Sequence, residues 1–235
     1  MALRWLRPGE DFPDVREANP DGMLAVGGDY DWRRLHRAYT RGIFPWSNAD
    51  NPILWWSPDP RFVLYPDELR VQRSMRPYLN QRRFRVSYDT HFRDVITACQ
   101  HSPRQGRDVG TWITPDLLDG YVELHEQGFA HSVEVWDDAD ALVGGLYGVA
   151  IGKVFCGESM FARTANASKY AFIHLVRNLR ARDYWLVDCQ MPTDHLASLG
   201  ATAIPRREFM HTLSQNQSEP TERGAWTDLM TDDVL

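Results

Sequence analysis

The chain has 235 residues, is 43% hydrophobic and carries a formal net charge of −6. This length suits one large domain or two unequal ones with a sizeable core, while the acidic total argues against a generic basic nucleic-acid binder. No apolar run approaches the ~20 residues that cross a bilayer, and the three isolated cysteines (Cys99, Cys156, Cys189) form no CxxC pair and suggest neither a zinc site nor a disulfide framework.

Residues 1–21 are polar and proline-bearing and read as irregular. Gly22 to Asp29 is a short apolar run ending in a glycine pair. Asp31 can cap a helix through Tyr39, with Gly42 as its stop. The Gly27-Gly28 pair lacks the strand–GxGxxG–helix setting of a dinucleotide site and reads as a turn. From Gly42 onward four prolines (45, 52, 58, 60) forbid a long regular element. Phe44, Trp46, Trp55 and Trp56 lie among them, either as core or as the wall of an apolar pocket, and the pocket is the preferred reading. Arg61 to Tyr65 reads as a strand, and a domain boundary falls here: residues 1–62 form a small N-terminal unit and 63–235 the main one.

Ser74 can cap a short helix limited by Pro77. Between Arg70 and Arg85 stand six arginines and no acid: Arg70, Arg73, Arg76, Arg82, Arg83 and Arg85. The planar guanidinium fork suits phosphate, so the segment is either a local anion site or a solvated face. Arg83 to Tyr88 alternates as a strand does. Asp89 is placed to cap a helix from Thr90 to His101, and His101 to Gly110 reads as a charged loop. Thr114, Pro115 and Asp116 are a strong helix start; Leu117, Leu118, Tyr121, Leu124 and His125 line that helix and Gly128 ends it. His131 to Trp136 is a strand, and residues 137–141 turn the chain.

Leu142 to Ala150 is apolar as a strand covered on both faces should be, and Val154-Phe155-Cys156 resumes the run after Gly152-Lys153, so the two form a hairpin. Glu158 ends the second strand among apolar neighbours, where a carboxylate needs a partner or a ligand. Ser168 is a candidate N-cap for a helix carrying Phe172, Leu175, Val176 and Leu179 at helical spacing. Tyr184 to Val187 is then a buried strand that delivers Asp188 and Gln190 at its carboxyl end. Strand, helix, strand implies a parallel pair, and ligands bind beyond the carboxyl ends of such strands. Alternation puts Asp188 and Gln190 on one face and Cys189 on the other. A short helix follows Arg206-Arg207, and from Ser214 the polar, acidic tail reads as loosely held. The fold class is α/β (α+β).

Asp188 and Gln190 are the leading site candidates, ahead of a turn-forming role, with Glu158 next. Cys189 lacks the histidine partner and pKa-lowering setting of a nucleophile. His131 and His195 read as structural, and no cluster has metal spacing.

The segments GIFPW, ILWWSPDPR, TWIT, HSVEVW, LVGGLYGVA, FCGESMF, NASK, LVDCQ and ASLGA stand in the order and spacing of bacterial leucyl/phenylalanyl-tRNA–protein transferases. The resemblance covers residues 20–210. It implies an aminoacyltransferase that moves leucine, phenylalanine or methionine from aminoacyl-tRNA to the N-terminal Arg or Lys of acceptor proteins, marking them for degradation. It also implies a small N-terminal α/β domain followed by an acetyltransferase-like mixed-sheet domain. Carried over residue by residue, the catalytic pair falls on Asp188 and Gln190. The aminoacyl pocket falls on Trp46, Trp112, Phe155 and Glu158, with Leu146 where methionine is common and Thr193 where the family can carry an asparagine. The tRNA site is expected at Arg70, Arg73, Arg76, Arg82, Arg83 and Arg85. On this reading Gln190 orients the acceptor amine, while Asp188 supplies negative charge and holds Gln190. No cofactor, metal or membrane is expected; the setting is cytoplasmic and a monomer is the working expectation, with oligomeric state left open. A CoA-dependent N-acetyltransferase is disfavoured by the missing Gly-rich phosphate loop, and an RNA-binding module built on the arginine segment is the non-enzymatic rival.

Overall fold

In the computed structural model, residues 3–47, 51–102 and 112–232 are described. Two sheets organise them. The first has four short strands in the order β1-β2-β4-β3: β1 (Arg4–Leu6), β2 (Met23–Gly27), β3 (Phe44–Pro45) and β4 (Leu54–Trp56). The prolines keep β3 and β4 short, as read. Residues 4–6 were expected to be irregular but pair in parallel with β2; three residues are too few for their alternation to stand out. Helix α1 (Trp32–Thr40) starts on Asp31, whose side chain accepts from the backbone of Arg33. Trp55 is fully buried and donates from Nε1 to the carbonyl of Gly27 at 2.8 Å, which satisfies its one polar atom.

The second sheet has seven strands in the order β11-β5-β10-β9-β8-β7-β6. They are β5 (Arg61–Leu64), β6 (Arg85–Tyr88), β7 (Ala130–Trp136), β8 (Leu142–Ile151), β9 (Val154–Ala162), β10 (Leu186–Gln190) and β11 (Thr202–Ile204). All neighbours run antiparallel except β9 and β10, which are parallel with Asp188 opposite Cys156. The expected hairpin and parallel pair are therefore present. So is the α+β class, with a mixed sheet carrying helices on its faces.

Helices α2 (Arg76–Asn80), α3 (Phe92–Gln100), α4 (Pro115–Glu126), α5 (Ala167–Ala181), α6 (Asp194–Ser198) and α7 (Arg206–Asn216) complete the chain. One core joins the first sheet, α1, α3 and α4; the other lies under α5. Gly144 shows why β8 is rich in glycine: a Cβ there would stand 2.5 Å from the Cβ of Ala167, so the side chain is missing where α5 meets the sheet. Thr114 caps α4 by accepting from the backbone of Leu117.

Four local expectations need correction. Ser74 does not cap α2, whose N-cap is Met75 with no side-chain hydrogen bond to the first turn. Asp89 does not cap α3; its carboxylate instead accepts from His131 Nδ1 at 2.8 Å and from the backbone of Ser132 and Trp226 at 2.8 and 2.7 Å. The N-cap of α5 is Asn166 in the left-handed region, not Ser168, which lies inside the helix. The tail beyond Ser214 is not loose among its described residues. Trp226 is fully buried and stacked on His131 with centroids 3.7 Å apart, Glu222 pairs with Arg182 at 2.8 Å, and Thr231 bonds Asn178 at 2.9 Å. A polar composition hides a segment anchored by one tryptophan. Most of the expected loop at residues 101–110 lies outside the described residues.

Trp226→Ala should destabilise the protein by about 3–5 kcal/mol, the cost of emptying a buried aromatic site, as read by urea denaturation. A loose tail would leave stability within about 0.5 kcal/mol, as for surface changes.

Candidate active site

The carboxyl end of β10 ends in a kink. The register against β5 slips between Asp188 and Gln190, and Gln190 has φ +62°. The simple alternation expected of this strand is therefore broken at its last residues. A left-handed non-glycine residue is costly by about 1–2 kcal/mol. Asp188 offsets part of that cost, because its Oδ1 accepts the backbone N–H of Gln190 at 2.9 Å.

Asp188 is 0% exposed and meets Arg61 of β5, itself 1% exposed. Arg61 donates from Nε to Oδ1 at 2.7 Å and from Nη2 to Oδ2 at 2.6 Å, a bidentate pair. Its remaining Nη1 donates to the carbonyl of Gly42 at 3.2 Å, and its guanidinium lies 4.8 Å from the ring of Phe44 and 4.6 Å from that of Phe209. The charge of Asp188 is thus balanced inside the protein, and it grips Gln190 through the backbone rather than through the amide.

The amide of Gln190 turns to Glu158. Its Nε2 donates to Glu158 Oε1 at 2.6 Å, and Tyr121 of α4 donates to Glu158 Oε2 at 2.7 Å. The hydroxyl of Tyr39, from α1, is bonded to that of Tyr121. Glu158 is half-buried as a residue, and its carboxyl is held by the buried Gln190 and Tyr121 side chains. Loss of solvent pushes it up to about 8, opposed by the hydrogen bonds of Tyr121, Tyr39 and Gln190 and assisted by the nearby charge of Asp188. The partner that its apolar surroundings demanded is therefore this chain of hydroxyls and the amide. Burial also pushes the thiols of Cys156 and Cys189 far up, so neither is a thiolate. His195 is pushed down by burial. Among the described residues no three His, Cys, Asp or Glu side chains group as metal ligands.

The other expected residues are spread more widely. Trp112 belongs to the core with α1, α3 and α4, and Trp46 packs at its margin, 5.5 Å from Trp56. Leu146 and Phe155 belong to the core under α5, where Phe155 lies 5.8 Å from Trp226. Thr193 is exposed, and its hydroxyl caps α6 by accepting from Leu196 at 3.2 Å. All six arginines between 70 and 85 are exposed, but Arg85 is paired with Asp140 at 2.8 Å and lies over Trp136.

Sequence reasoning missed Arg61, Tyr39 and Tyr121. An arginine opening the otherwise apolar strand Arg-Phe-Val-Leu was the available signal, since a buried cation requires an acid. In sequence Tyr121 reads only as part of a helix lining.

Residues 63–214 match the family model described as leucyl/phenylalanyl-tRNA protein transferase, and residues 28–59 match the model of its N-terminal domain. The chain is similar to the leucyl/phenylalanyl-tRNA–protein transferase of Pseudomonas fluorescens (strain Pf0-1), with 54% identity over 93% of this chain and 96% of that one. Its counterpart in Flavobacterium johnsoniae is 54% identical over 86% of this chain and 94% of that one. The Chromobacterium violaceum protein is 50% identical over 95% and 96%.

Arg61→Met should cost about 3–5 kcal/mol, because it leaves a buried carboxylate without its cation. In a denaturation cycle the double variant Arg61→Met/Asp188→Asn should lose less than the sum of the two single losses, by about 1 kcal/mol or more. Strict additivity would mean that the pair does not act as a unit.

Proposed function

The chain belongs to the leucyl/phenylalanyl-tRNA protein transferase family, and we propose that Gln190, steadied by Asp188, is where its aminoacyl transfer takes place. The chain is an aminoacyltransferase that uses leucyl- or phenylalanyl-tRNA as donor and protein as acceptor. The finer reading adds methionine to the donors, an N-terminal Arg or Lys to the acceptors, and degradation as the fate of the product. Its setting is cytoplasmic and its state monomeric, and residues 1–62 and 63–235 are its two units. No described helix is long and apolar enough to cross a membrane.

The observation that carries the assignment is the amide of Gln190, gripped at its nitrogen by Glu158 at 2.6 Å. Among the described residues none donates to its Oε1, which is thereby the acceptor offered to an incoming amine. The donor is an ester, already activated. The nucleophile is an α-amine with an ordinary pKa of about 7.7–8.0, so a useful fraction is neutral near pH 7. The amine nitrogen attacks the ester carbonyl carbon, the C–N bond forms, the bond to the ribose oxygen breaks, and the amine proton ends on that oxygen. Holding the amine in line supplies much of the rate. Asp188 acts one step back: with Arg61 it fixes the left-handed turn that aims Gln190.

For the aminoacyl side chain, Trp46, Trp112, Leu146, Phe155, Glu158 and Thr193 are proposed to border the pocket, the first two from the side of α4 and Leu146 with Phe155 from the side of α5. Such a pocket selects by size and apolarity, with about 1–3 kcal/mol per methylene. The arginine segment, Arg70, Arg73, Arg76, Arg82, Arg83 and Arg85, is proposed to dock the tRNA backbone; Arg85 also pairs with Asp140.

Gln190→Ala should lower transfer from leucyl-tRNA to an Arg-initiated peptide by about 10²-fold or more, the scale of losing an orienting polar group, with little change in tRNA affinity. Near-normal turnover would remove Gln190 from the chemistry. Neutralising Arg73 and Arg76 together should weaken binding of all tRNAs alike and flatten the salt dependence of log K by about 0.7–0.9 for each phosphate no longer neutralised. Unchanged binding and slope in a salt titration would reduce the segment to a solvated face.

A further inference from the structure

Gln190 has a donor end and an acceptor end, and only one of them serves an attacking amine. Which end faces the amine is decided behind it. Glu158 stands among Tyr39 of α1, Tyr121 of α4, Cys156 of its own strand, Asp188 and Gln190 of β10, and Arg61 of β5. The Arg61 charge is engaged by Asp188 at 2.7 and 2.6 Å, so among the described residues no cation is paired with Glu158.

When Glu158 is ionised, every hydrogen in the chain points toward it. Tyr39 donates to Tyr121, Tyr121 to Oε2, and the Gln190 amide nitrogen to Oε1. When Glu158 is protonated, its own hydrogen must be placed. On Oε2 it reverses the tyrosine chain and leaves the Tyr39 hydroxyl to find a new acceptor. On Oε1 it confronts the amide nitrogen and favours the turned amide, which would offer NH₂ to the amine instead of oxygen.

We propose that ionised Glu158, backed by Tyr121 and Tyr39, is the positioning residue that sets which end of the Gln190 amide meets the acceptor amine. This rests on the assignment of Gln190 above. Tyr39 and Tyr121 come from helices outside the β9–β10 pair, so the orientation of the amide also depends on how α1 and α4 are docked. Burial pushes Glu158 up to about 8. The ionised, orienting form is therefore the minority at neutral pH, and it grows as pH rises through that value.

The test is kcat/KM for leucine transfer to an Arg-initiated peptide as a function of pH, for the wild type and four variants. In the wild type, log kcat/KM should climb with a limiting slope approaching about two, one proton from the α-amine and one from Glu158. Glu158→Gln keeps an acceptor oxygen for Gln190 and no longer titrates, so it should retain activity within about tenfold with a slope near one. Glu158→Leu should lose about 10²-fold or more at every pH, with a slope near one. Tyr121→Phe removes a donor to the carboxylate and should move the Glu158 limb to higher pH by about one unit. A wild-type slope of one, an unmoved limb in Tyr121→Phe, a fully active Glu158→Leu, or a Glu158→Gln no better than Glu158→Leu would overturn the proposal; the last would make the negative charge itself the requirement, as in a counter-ion for the acceptor's basic residue. Full activity in Gln190→Ala would instead sink the assignment on which the proposal rests.

Discussion

A guanidinium and a carboxylate, both removed from water, meet where the two sheets come together. Taking such charges out of solvent costs several kcal/mol each, and the attraction between them repays this only when the geometry is good and the remaining donors are satisfied. Arg61 meets both conditions: two nitrogens face Asp188, a third faces the Gly42 carbonyl, and aromatic rings cover the guanidinium on two sides. The contacts reach Gly42 and, in the first sheet, Phe44 of β3, then β5 and β10 in the second sheet and Phe209 in α7. A local event at the end of β10 is in this way tied to the docking of three other parts of the chain.

The protein handles its inner carboxylates in different ways, and the differences follow from their neighbours. Asp188 receives a cation. Glu134, fully buried in β7, receives hydroxyls from Ser87, Thr90 and Ser132 at 2.7, 2.9 and 2.5 Å. Asp89 receives two backbone N–H groups and a histidine. Glu158 receives a tyrosine and an amide, and its edge reaches solvent. Burial moves Glu158 up into the range of an amine. Tying it to neutral, reorientable donors rather than to a cation leaves it able to change protonation state while the strand stays in place.

The elements around the site were legible because their signals are local. The apolar run of β8, its restart in β9, the helical spacing of α5 and the short strand to Asp188 each lie within a few residues of sequence. They place Asp188 and Gln190 at the end of one strand and Glu158 at the end of another from sequence alone. What could not be read is what depends on contacts far apart in the chain. Arg61 and Asp188 are 127 positions apart, and an arginine in a strand names no particular acid. Tyr39 and Tyr121 are separated by 82 positions, and each looks like ordinary helix lining. The kink at Gln190 was hidden because strand alternation carries no sign of its own failure; the slip against β5 and the left-handed φ reveal it. The tail was misread because composition averages over residues, and one buried tryptophan weighs little in an average.

The left-handed backbone at Gln190 says something about which amino acids position 190 could accept. Judged on backbone comfort alone, asparagine would be the better occupant, since it enters this region more readily than glutamine does. Asparagine is one methylene shorter, however, and from the same kink its amide would fall short of Glu158. Glycine would fit the turn and offer no amide at all. Reach and not conformational ease is therefore what this turn selects for, and glutamine is the shortest amide side chain that satisfies it.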